Sequence, residues 1–163
     1  MQPLLTTWMM LRDGDEVILG LKKQRFGEGN INGIGGKVDA GETPRRAAIR
    51  ETYEEIGVKV TKLEKVATIT FDELLYRGRR GQCIMHCYIA SEWQGEPVET
   101  AEMKPQRFLV DEIPYEKMFG DDKYWVPLVL AGKKVRGRFL FNDDFEVVEH
   151  EVEVLPDKMC KDF

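Results

Sequence analysis

Five of the chain's 15 glycines fall within Phe26–Gly36 (FGEGNINGIGG), and a helix with well-marked ends follows soon after. Backbone so dense in glycine bends sharply or passes close to another group. Thr43 suits an N-cap, Pro44 the first helical position, and Gly57 the residue just past the end. A loop of this kind feeding a rigid helix leaves few arrangements for the rest of the chain.

Leu4–Leu11 and Val17–Leu21 flank the turn dipeptide Asp13–Gly14 and are predicted to form a hairpin or meander. Strands are expected at Val66–Phe71 and Gln82–Ala90, joined by a basic, mobile connection (Tyr76–Gln82, YRGRRGQ) whose Arg77, Arg79 and Arg80 read as a solvated loop. A shorter strand is expected near Gln106–Val110. A second helix is expected over Lys123–Ala131, with Pro127 near its first turn. Val135–Phe141 and Phe145–Leu155 form a hairpin across Asn142–Asp144. No repeat or linker interrupts this order. The class is α+β, one domain over residues 1–157, with 158–163 a loose tail.

On a helical wheel of about 100° per residue, Ala48, Ile49, Thr52, Tyr53 and Ile56 share one sector. Glu51, Glu54 and Glu55 share another, and only Arg50, four residues before Glu54, relieves their repulsion. A solvated acidic face is the ordinary explanation. Here the acids lie towards the helix C-terminus, where the dipole disfavours negative charge, and the glycine loop leads into the same helix. Carboxylates gathered on a rigid element need a cation, and hard oxygen ligands suit Mg²⁺ or Mn²⁺.

The run Gly36-x5-Glu42-x7-Arg50-Glu51-Thr52-x-Glu54-Glu55-x-Gly57-Val58 resembles the Nudix box, the signature of hydrolases acting on a nucleoside diphosphate linked to another group. The resemblance implies the Nudix fold, a mixed β-sheet sandwiched between helices. It makes Glu51, Glu54 and Glu55 catalytic, and adds the backbone carbonyl of Gly35 and a distant acid, Glu102, to the metal ligands. Gly36, Glu42, Arg50 and Gly57 are then structural, with Glu42 and Arg50 tying loop to helix. Which carboxylate takes the proton of the attacking water stays open. Thr52 departs from the aliphatic residue usual at its place, so its hydroxyl should face the core and bond to a local carbonyl.

LGLKKQRFGEGNINGIGGKVDAGET (19–43) and FGDDKYWVPLVL (119–130) are similar to the MutT-homologue subfamily, the oxidised purine nucleoside triphosphate hydrolases. This resemblance places Thr7, Lys22, Phe26, Asn32, Phe71, Asp121, Asp122 and Trp125 around a nucleobase. Gly35, Gly36, Lys37 and Phe119 complete the implied substrate-binding set. Neighbouring carboxyls in a partly apolar pocket do not both ionise easily, so one can donate while the other accepts. Without the resemblance, Asp121 and Asp122 read as ordinary helix caps. Phe119 and Ile31 stand where the subfamily has Trp, and Cys83 where it has Met. These departures bear on base preference and leave the phosphate chemistry alone.

The implied reaction is Mg²⁺-dependent conversion of an oxidised purine nucleoside triphosphate, of the 8-oxo-dGTP or 2-hydroxy-dATP type, to monophosphate and pyrophosphate. By family analogy water attacks the β-phosphorus, and the role is sanitation of the nucleotide pool. The alternatives are another nucleoside diphosphate derivative (an ordinary triphosphate, a dinucleotide, a capped RNA end) or a non-catalytic nucleotide-binding module.

A net charge of −5, with 42% hydrophobic and 33% charged residues, fits a globular chain and argues against a broad nucleic-acid surface. Taken alone it argues against polyphosphate too. Within 36–58, however, Asp39, Glu42, Glu51, Glu54 and Glu55 face Lys37, Arg45, Arg46 and Arg50. Cys83, Cys87 and Cys160 cannot all pair, and only His86 and His150 could join them, which argues against a disulfide scaffold and a paired Cys/His zinc site. Leu4–Leu11 is too short for a bilayer and lacks a basic leader. The expectation is a cytoplasmic protein, monomer or weak homodimer, whose partner is a small nucleotide and neither nucleic acid nor membrane.

Overall fold

Successive residues of the first strand serve two different cores. In the computed structural model, which describes residues 2–76 and 78–157, β1 (Leu4–Asp13) turns Trp8 and Met10 to one sheet face and Met9 and Leu11 to the other. All four are fully buried, as period-two alternation in a central strand requires. Trp8 and Met10 meet Trp125, Val126 and Val129 of α2 (Asp122–Leu130). Met9 and Leu11 meet Ala48 and Ile56 of α1 (Pro44–Ile56). One sheet therefore lies between two helices.

The remaining strands are β2 (Glu16–Lys22), β3 (Ile31–Asn32), β4 (Lys59–Tyr76), β5 (Arg79–Gln94), β6 (Met103–Leu109), β7 (Val135–Phe141) and β8 (Val147–Val154). Their order is β3-β2-β1-β5-β4-β7-β8, with β6 also on β2. The β1–β5 and β4–β7 pairs are parallel and the others antiparallel, so the sheet is mixed.

The caps of α1 form as expected. Thr43 Oγ1 accepts from the Arg46 amide, and Gly57 takes the left-handed conformation (φ 75°) that ends the helix without a Cβ clash. Thr52 is buried and donates to the Ala48 carbonyl at 2.7 Å, which satisfies its hydroxyl inside the core.

Two expectations need correction. Tyr76–Gln82 is the tip of one continuous hairpin, with Tyr76 opposite Arg79 and Leu74 opposite Gly81. Charged side chains on an exposed arm hide the alternation that would have revealed it. Pro127 lies inside α2, past the first turn. The carbonyl it leaves without an amide is that of Lys123, an exposed residue whose backbone water can serve. Arg77, Cys160 and the expected loose tail, 158–163, lie outside the described residues. Among those described, no helix is long and apolar enough to cross a membrane.

The glycine-rich loop lies along the free edge of β1. Thr7 donates its amide to the Gly36 carbonyl at 2.8 Å, and Met9 and Ile34 exchange backbone bonds at 2.6 and 2.8 Å. At Gly33 an added Cβ would fall 2.3 Å from the buried Trp8 indole. Gly33→Ala should therefore cost about 1–3 kcal/mol by overpacking. Urea unfolding checks this, with a lower midpoint and unchanged slope expected.

Candidate active site

Arg50 is the centre from which the site is built. Its guanidinium donates to Glu42 (2.8 and 2.9 Å), Glu51 (2.9 Å), Glu54 (3.2 Å) and the Lys37 carbonyl (3.0 Å), and pairs with Asp39 at 3.4 Å. A planar fork can satisfy several oxygens at once, which a lysine could not. Glu42 also accepts from the Asp39 amide at 3.1 Å. The Arg50 bonds and that amide hold the Glu42 carboxyl down at about 2. Loop and helix are thereby joined through one side chain, as expected of Glu42 and Arg50.

The three helix acids have unequal surroundings. Glu54 is mostly exposed and has Arg50 as its partner. Glu51 is half-buried; desolvation raises its pKa, and Arg50 only partly opposes this. Glu55 is 3% exposed and accepts from the Gly35 amide at 3.1 Å. Burial pushes it up to about 8, with the Lys22 charge opposing and Glu51 and Glu102 adding repulsion. Glu102 lies on the segment before β6, near enough for its charge to act on both Glu51 and Glu55. Its carboxylate stands 3.9 Å from Arg25.

The glycines permit this approach. A Cβ on Gly36 would fall 2.6–2.8 Å from the Glu51 carboxyl atoms, and one on Gly35 2.0 Å from the Thr7 carbonyl. Among the described residues no three acids converge tightly enough to grip an ion as they stand. Arg50 holds Glu51 and Glu54, and Gly35 presents its amide to Glu55. The donor set still fits a hard divalent cation: oxygen ligands on one helix, Glu55 buried with no cationic side chain bonded to it among the described residues and Glu51 only partly compensated by Arg50, against backbone too close for any side chain.

Beside this cluster opens a cavity of about 170 Å³. Thr7, Lys22, Phe26, Asn32, Phe71, Phe119, Asp121 and Asp122 line it, together with Gly35, Gly36 and Lys37 on the side of the helix acids. The structure brings these residues, grouped in the sequence by the family resemblance, to one place. Thr7 Oγ1 is 3.3 Å from both the amide and the carbonyl of Gly36, so it also pins the loop. Phe119 stacks on Phe26 with ring centroids 5.4 Å apart.

Asp121 and Asp122 form the polar end, each 2% exposed. Asp121 has helical backbone and no capping bond from its side chain, so it does not act as an ordinary cap. It accepts instead from Trp125 Nε1 at 2.9 Å. Trp125 stands behind Asp121 and does not line the cavity, a correction to its expected place. It lies one helical turn on from Asp121, on the same side, and reaches the carboxylate from within the core. Burial raises both acids, and repulsion raises Asp122 further, so the pair retains a proton. Asp122 Oδ2 and Trp8 Nε1, both on cavity-lining residues, are buried without a partner.

Sequence reasoning missed Trp8, Leu74, Tyr76, Met85, Phe141 and Phe145 as lining residues. Phe141 and Met85 could have been found from strand alternation. Tyr76 and Phe145 could not, because their direction depends on irregular backbone.

Glu55 has its proton held in the folded state and not in the unfolded one, where its pKa is near 4.5. Its contribution to stability is therefore complete below about pH 4.5 and is lost as pH rises to about 8. In metal-free protein this term removes up to about 4 kcal/mol across that window. Glu55→Gln should be the more stable form at pH 8 and about equal at pH 4.5. Chemical denaturation of both proteins at the two pH values measures the difference.

The Nudix domain model of protein families matches residues 3–129. An oxidized purine nucleoside triphosphate hydrolase from Danio rerio is 41% identical over 94% of this chain and 96% of its own length. The Mus musculus protein of the same name is 39% identical, covering 91% and 93%. A MutT protein crystal structure from Bacillus halodurans superposes with a TM-score of 0.77 over 92% of this chain and 97% of its own, at 24% identity. With the box, the loop and the helix acids arranged as above, the chain belongs to the Nudix family.

Proposed function

We propose that this protein hydrolyses purine nucleoside triphosphates, those with oxidised bases above all, to the monophosphate and pyrophosphate, and so clears damaged nucleotides from the precursor pool. The names of the Danio rerio and Mus musculus relatives support the substrate class. The observation that carries it is the buried Asp121–Asp122 pair at the end of an otherwise aromatic and aliphatic cavity. A carboxyl that keeps its proton donates while its neighbour accepts. Such a pair suits the Watson–Crick edge of a purine and tolerates the altered tautomers of 8-oxoguanine and 2-hydroxyadenine. Asn32 adds one more donor and acceptor on the fixed loop.

With the base at that end, the triphosphate extends past Thr7 and Lys22 towards the helix acids. Lys22 supplies positive charge close to Glu55, between the cavity and the box. Glu51, Glu54, Glu55 and Glu102, with the Gly35 carbonyl, would hold Mg²⁺ or Mn²⁺, which neutralises phosphate charge and makes water a better nucleophile. Arg50 keeps Glu51 and Glu54 on the helix face, and the Gly35 amide keeps Glu55 pointed at the loop. Attack on the β-phosphorus breaks its bond to the oxygen bridging to the α-phosphate. One of the box carboxylates accepts the proton of the water, and monophosphate and pyrophosphate leave.

An RNA end is a poorer fit. Arg80, on the basic stretch that could follow a longer chain, is committed to Asp143 and to the Glu73 carbonyl.

Side-by-side hydrolysis of 8-oxo-dGTP, 2-hydroxy-dATP, dGTP, dATP and a dinucleotide with Mg²⁺, with products identified, tests the reading. The oxidised purines should lead by at least about tenfold, or 1.4 kcal/mol. A smaller preference defeats the sanitising role. Glu55→Gln should lower kcat on the order of 100-fold or more while the protein stays folded. Asp121→Ala should harm purine nucleotides far more than inorganic tripolyphosphate; equal losses would defeat the base-reading role.

A further inference from the structure

Two hairpins meet beside the base cavity, and each contains a non-glycine residue in the left-handed backbone region near its end. Glu73 (φ 50°) lies in a bulge of β4 between Phe71 and Leu74, and Phe145 (φ 58°) lies in the β7–β8 turn. Side chains disfavour this conformation, an aromatic one especially, and such residues persist where the surroundings impose them. The bulge adds one residue to the strand, so Leu74 and Tyr76 return to the face that Phe71 occupies. In unbroken alternation Glu73 and Leu75 would hold those places, with a carboxylate in the cavity wall.

The second tip is equally specified. Asn142 Oδ1 accepts from the amides of Asp144 and Glu146 at 2.9 and 3.0 Å, and Asn142 Nδ2 donates to the Glu146 carboxylate at 3.1 Å. The turn brings Phe145 edge-on to Phe26 at 5.3 Å, while Tyr76 reaches Phe26 from the other hairpin at 5.2 Å. Arg80 clasps the two tips. It donates to the Glu73 carbonyl within the bulge at 3.1 Å and to Asp143 in the β7–β8 turn at 2.8 Å. The basic stretch expected to be a solvated loop thus has one member, Arg80, with a structural partner on each hairpin.

The geometry points to Phe145 and Tyr76 as specificity-determining contacts, an aromatic roof over the base cavity, with Arg80 as the positioning residue that holds the roof together. The inference rests on the cavity taking a purine. The acid pair reads one edge of the base, whereas the roof meets its faces and far rim. A pyrimidine reaching the acids leaves much of the roof uncovered, and a purine covers it. Phe145 stays 36% exposed while its ring abuts Phe26, Phe119 and Phe141, an apolar surface that a planar ligand would complete.

Phe145→Asn is the informative variant, because Asn tolerates positive φ and the change removes only the ring. Base–aromatic stacking energies predict a KM for purine triphosphates about tenfold higher, with kcat within about twofold and pyrimidine triphosphates little affected. The melting temperature should hold or rise. Tyr76→Leu should shift KM in the same direction. Arg80→Ala should also raise KM without lowering kcat, and its effect should shrink in the Phe145→Asn background, because it acts through the ring's position. A fall in melting temperature with an unchanged purine-to-pyrimidine ratio in Phe145→Asn would show that the ring only packs, and would overturn the roof. A wild-type protein without purine preference overturns the roof and the functional reading together. Wild-type preference that survives all three changes overturns the roof alone.

Discussion

The bonding of Arg50 is the constraint on which the rest of the site depends. One guanidinium joins three glutamates and a loop carbonyl, and it fixes the angle at which the glycine loop enters the helix. The loop then continues along β1, so Arg50 also sets where Gly35 and Gly36 lie against Thr7. Its partners are partly exposed, so the stabilisation from any single pair is modest. The consequence is geometric: a flexible, glycine-rich segment acquires one conformation beside carboxylates that repel one another.

That arrangement resolves the difficulty posed by an acidic protein with an anionic ligand. Glu54 stays near water and Arg50, whereas Glu55 and half of Glu51 are drawn away from solvent. Burying them costs free energy, which Arg50 offsets only in part at Glu51. In the proposed reading a divalent ion would supply the counter-charge and give a phosphate chain something to bind. At the other end of the cavity the same physics serves a different purpose. Asp121 and Asp122 are buried with no cation beside them, and they retain a proton. Two acid clusters in one protein are thus set apart by burial, and the proposed function gives one to metal and the other to base.

How much was legible in the sequence follows from how local each signal is. Thr43, Pro44 and Gly57 could mark α1 because capping depends on a few adjacent residues. Thr52 could be placed by helical period alone. Carboxylates grouped on one helix face were visible for the same reason, and the family resemblance gathered most of the cavity lining. The long arm of β4 and β5 was hidden because Arg79, Arg80 and their neighbours mask alternation on a solvent-facing hairpin. Tyr76 escaped notice because one residue of bulge reverses its direction. Trp125 joins the expected lining through the family resemblance; only three-dimensional packing shows that it supports the acid from behind.

The cavity walls come from β1, the end of β2, the glycine-rich stretch on both sides of β3, the β4–β5 arm, the start of α2, the end of β7 and the β7–β8 turn. No contiguous portion of the chain contains a usable half of it. A ribosome must therefore release almost the whole domain before the cavity exists, and it closes late in folding, after the long-range strand pairs have formed. Conversely, a ligand that filled the cavity would bridge segments from both ends of the chain, so its stabilisation would extend to the domain as a unit.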